Sequence, residues 1–191
     1  MEGIAALDDL FSSLQSVARH GLPPVESWAP ERVGKIDIEI KADGSWWHEG
    51  DKIHRHELVK LFASILVREK DGEHYLVTPV EKLKIFVQDA AFVVVESITT
   101  SEKGEDEASS VENINVRTNT DDALTIGPLH PIELRSNLPY VFVRRGLWAK
   151  VNRNVYYQWI ESALGANRKT DGELYISSCG REYSLGSLAE E

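Results

Sequence analysis

The chain has a single cysteine, Cys179, among 191 residues. No intramolecular disulfide can staple it, and a reducing compartment suits it. The lone thiol reads as a small, half-buried apolar residue rather than a reactive group. Positive charge is also scarce, with 21 Lys and Arg against 31 Asp and Glu and a net charge of −10. That far field repels polyanions, which argues against DNA or RNA polymers and anionic membranes as partners. No hydrophobic run approaches membrane-spanning length, and the acidic, amphipathic N-terminus has no signal-peptide core. The expected location is the cytoplasm. G-x-G-x-x-G, P-loop, G-x-S-x-G and H-E-x-x-H patterns are all missing. Paired acids such as Asp37 and Glu39 have nothing that couples them as acid and base. The chain is therefore expected not to be an enzyme, and no cofactor is called for.

What is present is a mixture of helical and alternating patterns. Ile4, Leu7, Leu10, Phe11, Leu14, Val17 and Ala18 fall at helical spacing, stopped by Gly21 and Pro23-Pro24. "LPPVESWAPERVG" reads as an extended linker, and "KIDIEI" alternates as a strand. From Glu57 to Val67, the stripe Leu58, Leu61, Phe62, Ile65 and Leu66 predicts a helix. Strands then follow at "EHYLVT", "KLKIFV", "AFVVVESI", "NINVRT", "ALTI", "PIEL" and "YVFVR". The acidic insertion "SEKGEDEASS" suits an exposed hairpin tip. A last helix over 155–164 precedes strands at "ELYISS" and "REYSL".

Two stretches match each other. "KIHRHELVKLFASIL" (52–66) aligns with "KVNRNVYYQWIESAL" (150–164), placing Lys52, Arg55, Ser64 and Leu66 on Lys150, Arg153, Ser162 and Leu164. Upstream, Gly44-x-Trp46 answers Gly146-x-Trp148. Downstream, Asp71-Gly72-Glu73-x-Tyr75 answers Asp171-Gly172-Glu173-x-Tyr175. A duplicated strand–turn–helix–strand unit is expected.

The repeat weighs the histidines. His48, His54 and His56, with Glu49 and Asp51, offer metal donors without a standard spacing. His54 and His56 fall opposite Asn152 and Asn154, so a small polar group is what recurs. Asparagine is a preferred helix N-cap, and position 154, with 56 by analogy, falls where each helix begins. No metal is expected. Arg55 and Arg153 do recur, although positive charge at a helix N-terminus is mildly unfavourable. Each needs a carboxylate, an aromatic face or an anion. An internal ion pair with Glu81, Asp89 or Glu161 and a ligand contact both remain open. Around the second copy, Arg144, Arg145, Lys150 and Arg153 alternate with Tyr140, Phe142, Trp148, Tyr156 and Tyr157. That pattern stacks a base and neutralises its phosphate, and it equally describes a strand with one core face.

Taken together, "LPPVESWAP", "KIDIEI", "DGSWWHEGDKIHRHELVKLFASIL", "YLVTPVEKLKIFVQDAAF" and "VRRGLWAKVNRNVYY" resemble a family of small proteobacterial proteins called domain of unknown function 1285. The resemblance spans roughly 22–160. It implies a duplicated core, a C-terminal part resembling a pleckstrin-homology barrel, and a cleft between the halves holding a nucleotide-like ligand in signalling. The family's motif positions include Trp46, Arg55, Thr78, Glu81, Lys82, Arg144, Arg153 and Tyr157. His54 departs from the family's small residue, which weakens a metal role further.

The expected fold is therefore α+β, a duplicated antiparallel-sheet-plus-helix unit whose C-terminal part is a pleckstrin-homology-like β-barrel. The expected domains are 1–80 and 81–191, with "TPVEKLKI" at the seam, where polar groups and ligand sites gather. The expected function is non-enzymatic binding of a small anionic, nucleotide-like ligand in bacterial signal transduction. Arg55, Arg153, Lys82 and Arg144 would hold charge, Trp46 or Trp148 would stack, and Thr78 and Glu81 would fix polar groups. A protein–protein adaptor is the alternative, and a metal-dependent hydrolase built on His48–His56 ranks below it.

Overall fold

The computed structural model describes residues 22–103, 110–170 and 172–187. The helix expected over residues 4–18 and the middle of the acidic insertion lie outside them. The chain divides into two compact units, Met1–Ala91 and Phe92–Glu191.

The first unit is one six-stranded sheet in the order β3-β2-β1-β6-β5-β4. Its strands are β1 (Arg32–Ile40), β2 (Trp46–His48), β3 (Asp51–Lys52), β4 (Leu66–Arg68), β5 (His74–Val77) and β6 (Glu81–Val87), and helix α1 (His56–Ser64) lies between β3 and β4 in the chain. Strand β6 runs antiparallel to β5 and parallel to β1, with Lys82 beside both Val77 and Val33. A boundary at 80/81 would cut through this sheet. The break falls instead after Ala91, eleven residues beyond the expected place.

Period-two patterning sorts the sheet's faces. Ile38, Ile40, Trp46, Leu76 and Ile85 are buried and point toward α1. There the Trp46 ring stacks on Phe62 at 6.3 Å between centroids. The helix ends at Ser64, and Leu66 opens the β4–β5 hairpin around Gly72, whose φ of +85° suits a glycine. Part of the expected helical stripe is therefore strand.

The second unit carries a six-stranded sheet, β10-β11-β12-β7-β8-β9, and a three-stranded one, β13-β14-β15. The first comprises β7 (Phe92–Lys103), β8 (Ser110–Thr118), β9 (Ala123–Thr125), β10 (Ile132–Arg135), β11 (Leu138–Arg144) and β12 (Leu147–Val151). Helix α2 (Arg153–Gly165) leads to β13 (Lys169–Thr170), β14 (Glu173–Ser178) and β15 (Arg181–Ser187). The small sheet is tied to β8 through Ser178, whose buried hydroxyl accepts from the Ile114 amide and donates to the Ile126 carbonyl. Helix α2 is fixed by Trp159 Nε1 donating to Ser97 Oγ at 2.9 Å and Tyr156 Oη donating to the Leu185 carbonyl.

The fold is α+β. In both units a strand leads into a helix and then an antiparallel hairpin, but the strands pair differently. The hairpin after α1 joins the main sheet of its unit, whereas the hairpin after α2 forms a sheet of its own with β15. The turns also give a different alignment of the repeat. Glu49-Gly50 and Arg145-Gly146 both have two positive φ values and close two-residue hairpins, so Gly50, rather than Gly44, stands where Gly146 does. Cys179 closes another such turn, with Gly180, and is exposed rather than half-buried.

Candidate functional site

The structure assigns most of the expected site residues to internal work. In the first unit Trp46 is 1% exposed and belongs to the core beneath α1. Its ring cannot stack a ligand without unpacking Phe62. Its Nε1 is buried without a hydrogen-bond partner among the described residues. Thr78 is buried at the β5–β6 turn, where its hydroxyl donates to the Glu81 carbonyl and accepts from the Val80 and Glu81 amides. A hydroxyl so occupied builds the turn and has nothing left for a ligand. Glu81 faces Arg32 at 3.9 Å.

Arg55 is the N-cap of α1, exposed, with its carbonyl receiving the Leu58 and Val59 amides. Its side chain makes no capping bond. His54 precedes it and His56 is the first helical residue, both exposed. His48 lies on β2, where its Nδ1 meets the Asp37 carbonyl at 2.8 Å. Among the described residues no three His, Cys, Asp or Glu side chains gather as a metal would require.

In the second unit Asn152 caps α2, accepting from the Val155 amide at 2.8 Å. The cap is thus Asn152, two residues ahead of the expected Asn154. Arg153 follows at the first helical position and is exposed. Arg144 is turned inward by a register shift between Phe142 and Arg144, which places it opposite Leu147. It donates to Asp122 Oδ1 at 2.5 Å and lies over the Phe92 ring at 5.0 Å. Thr120 donates to the other Asp122 oxygen at 2.9 Å. Burial pulls this guanidinium below its ordinary value, with Asp122 opposing. Trp148 packs edge-on against Phe142 at 5.3 Å, and the Arg135 guanidinium lies between Trp148 and Tyr140, at 4.7 and 4.8 Å. Among the alternating residues the aromatics pair with each other, Phe142 with Trp148 and Tyr156 with Tyr157, while the cation over Tyr140 and Trp148 is Arg135 from β10.

Lys82 stands apart, because it lines a cavity of about 380 Å3 within the first unit. The floor is the sheet face opposite α1, where Val77, Lys82 and Val33 sit side by side on β5, β6 and β1, with Val67 on β4 beyond. The wall is the segment before β1, whose 3-10 turn at Val25–Ser27 and following prolyl stretch bring Val25, Trp28 and Pro30 over the floor. Glu26 and Glu69 add two carboxylates. Lys82 Nζ donates to Glu69 Oε1 at 2.6 Å and lies 4.4 Å from the centre of the Tyr75 ring. Lys82 was the expected site residue here, while Trp28, Glu69 and the valines were not. One signal for them existed: Tyr75-Leu76-Val77 is apolar on both faces of a strand, which asks for cover on both sides. The "linker" supplies part of it.

These features define an α+β protein of two units with a small, mostly apolar cavity in the first. Models of the domain of unknown function DUF1285 match both parts, its N-terminal domain over residues 23–90 and its C-terminal domain over 91–185. The chain belongs to the DUF1285 family. A DUF1285 family protein from Silicibacter pomeroyi DSS-3 is 32% identical with a TM-score of 0.78, over 94% of this chain and 95% of that one. Another from Shewanella baltica OS155 is 30% identical with a TM-score of 0.50, over 65% of this chain and 90% of that one. No curated protein matches.

Proposed function

We propose that the protein is a non-enzymatic module that binds a small ligand, in the service of signalling. The cavity of the first unit carries this reading. Its volume of about 380 Å3 falls in the range of small-molecule sites, and its lining pairs an apolar majority with a few polar groups. A thermal-shift screen tests the reading, because a ligand selective for the folded state raises the unfolding midpoint, by about 2.7 kcal/mol of stability at a hundredfold excess over Kd. A Val77→Phe variant, which fills the floor, should abolish the shift.

An anionic, nucleotide-like ligand would draw on Arg55 and Arg153, each exposed in the first turn of its helix beside amides that have no intrahelical partner. Nucleotides belong in the same screen, with Arg153→Ala as the control. A protein-interaction adaptor is the second reading. It is favoured by Val80, just before β6, and Phe86, on it, which stand 65% and 59% exposed. Pull-down with Phe86→Glu as a control would test it.

The recurrence of strand, helix and hairpin further supports descent of the two units from one duplicated segment. The pleckstrin-like comparison draws its support from the element order β7 to α2.

A further inference from the structure

We propose that the cavity recognises a carboxamide: a neutral group with one acceptor and one donor, carried on a short hydrocarbon body. This rests on the ligand-binding reading above and names the chemistry of that same site. The body follows from the walls. Val25, Val33, Val67 and Val77, with Trp28 and Pro30, offer apolar surface and no hydrogen bond from a side chain except the indole N–H. A ligand that leaves polar atoms against those valines would lose their hydration without compensation.

The head follows from Lys82 and Glu69. An ammonium carries three N–H donors and no acceptor. Lys82 gives one to Glu69 Oε1 and turns toward the Tyr75 ring. A further donor is left for an acceptor in the cavity. Glu69 spends Oε1 on Lys82, and its Oε2 takes no bond from the described residues, so it can accept one. The pair therefore presents a donor beside an acceptor. A carboxamide meets both at once, its C=O to Lys82 and its N–H to Glu69. A carboxylate head meets Lys82 but is repelled by Glu69 and Glu26. An ammonium head is drawn to Glu69 and Glu26, but Lys82 already holds Glu69 Oε1, and an ammonium has no acceptor for the remaining Lys82 donor. Two carboxylates and one ammonium also leave the lining with excess negative charge, which disfavours phosphate-bearing ligands at this site.

Three probes with the same body separate these cases: hexanamide, hexanoate and hexylamine, titrated into the full chain at neutral pH by calorimetry. Hexanamide should bind about tenfold more tightly than either charged analogue, the worth of one additional satisfied hydrogen bond. Lys82→Met, which keeps the apolar stem, should bring the preference below about threefold. Val77→Phe should abolish binding of all three. Ala29→Phe, which narrows the cavity from the wall and lies outside every strand, serves the same purpose where the core variant fails to fold. If hexanoate or hexylamine binds most tightly and Val77→Phe removes that binding, the carboxamide inference is overturned while the cavity stands as the site. If no probe binds, or if binding survives both filling variants, the cavity reading and the inference fall together.

Discussion

Helices α1 and α2 can be aligned residue for residue, yet they begin and pack differently. Helix α2 starts on a side-chain cap from Asn152, whereas α1 starts on Arg55 with no side-chain cap. The buried stripe of α2 runs Val155, Trp159 and Ala163, while α1 buries Val59, Leu61, Phe62 and Ala63. Only some aligned pairs agree. Leu61 and Trp159 are both buried, as are Ile65 and Ala163, but Val59 is buried where Tyr157 is 53% exposed. Glu57 is exposed where Val155 is buried. The two aligned stretches thus bury different sets of positions. The helical stripe fixes that a face is buried, and the sheet beneath chooses which residues form its edge.

The largest effect that would break this comparison is at its shared centre. Trp159→Ala should destabilise the second unit by about 3–5 kcal/mol, since it opens a cavity and leaves Ser97 without its indole donor. Phe62→Ala should cost the first unit a similar amount, removing the partner of Trp46. Denaturant midpoints read both. Equal and small losses would mean that neither helix is anchored where the packing places it.

The next effect separates aligned positions. Val59→Ala should cost about 1.5–2.5 kcal/mol for two buried methyl groups, and Tyr157→Ala should stay within about 0.5 kcal/mol. The caps give a smaller contrast. Asn152→Ala should cost about 1 kcal/mol, while His54→Ala, at the aligned position but exposed, should change stability by less than about 0.5 kcal/mol. Equal costs for the two would restore a common cap.

Acid should also tell the units apart. In the first, burial holds His74 down at about 4, with Arg68 helping. Hydrogen bonds from Ser45 hold Asp43 below its ordinary value, and those from the Glu73 amide and the Tyr75 hydroxyl do the same for Asp71. The sign is the same for all three, because each binds its proton more readily once unfolded. His74 costs stability as pH falls from about 6.5 toward 4, and the two aspartates add their loss below about 4. All three of these groups lie in the first unit. Amide exchange followed from pH 7 to 4 should open the first unit earlier, and His74→Gln should remove the portion of that slope above pH 4. Simultaneous opening of both units would contradict this assignment.

The strands were largely legible. "KLKIFV", "NINVRT", "YVFVR" and "ELYISS" all fall in strands, because alternation survives whatever partner a strand finds. The two-residue strand β3 and the β4 hairpin arm were not, since short segments carry too few residues to show a period. The site was less legible than the fold. Thr, Arg and Trp have the same side chains whether they hold a ligand or close a turn. Only the tertiary structure shows Thr78 spent on its own hairpin, Arg144 on Asp122, and Trp46 on Phe62.

By itself the sequence determined the α+β class, the two segments in which a helix is followed by strand, and the excess of acidic charge. Those properties are local: each follows from spacing, turn chemistry or charge within a few residues. The tertiary structure alone decided that β6 lies between β5 and β1, that one hairpin joins the main sheet and the other leaves it, and that the segment before β1 turns a sheet face into a cavity around Lys82. Those outcomes depend on which distant strands share hydrogen bonds and which faces are covered, and no window of neighbouring residues carries that information.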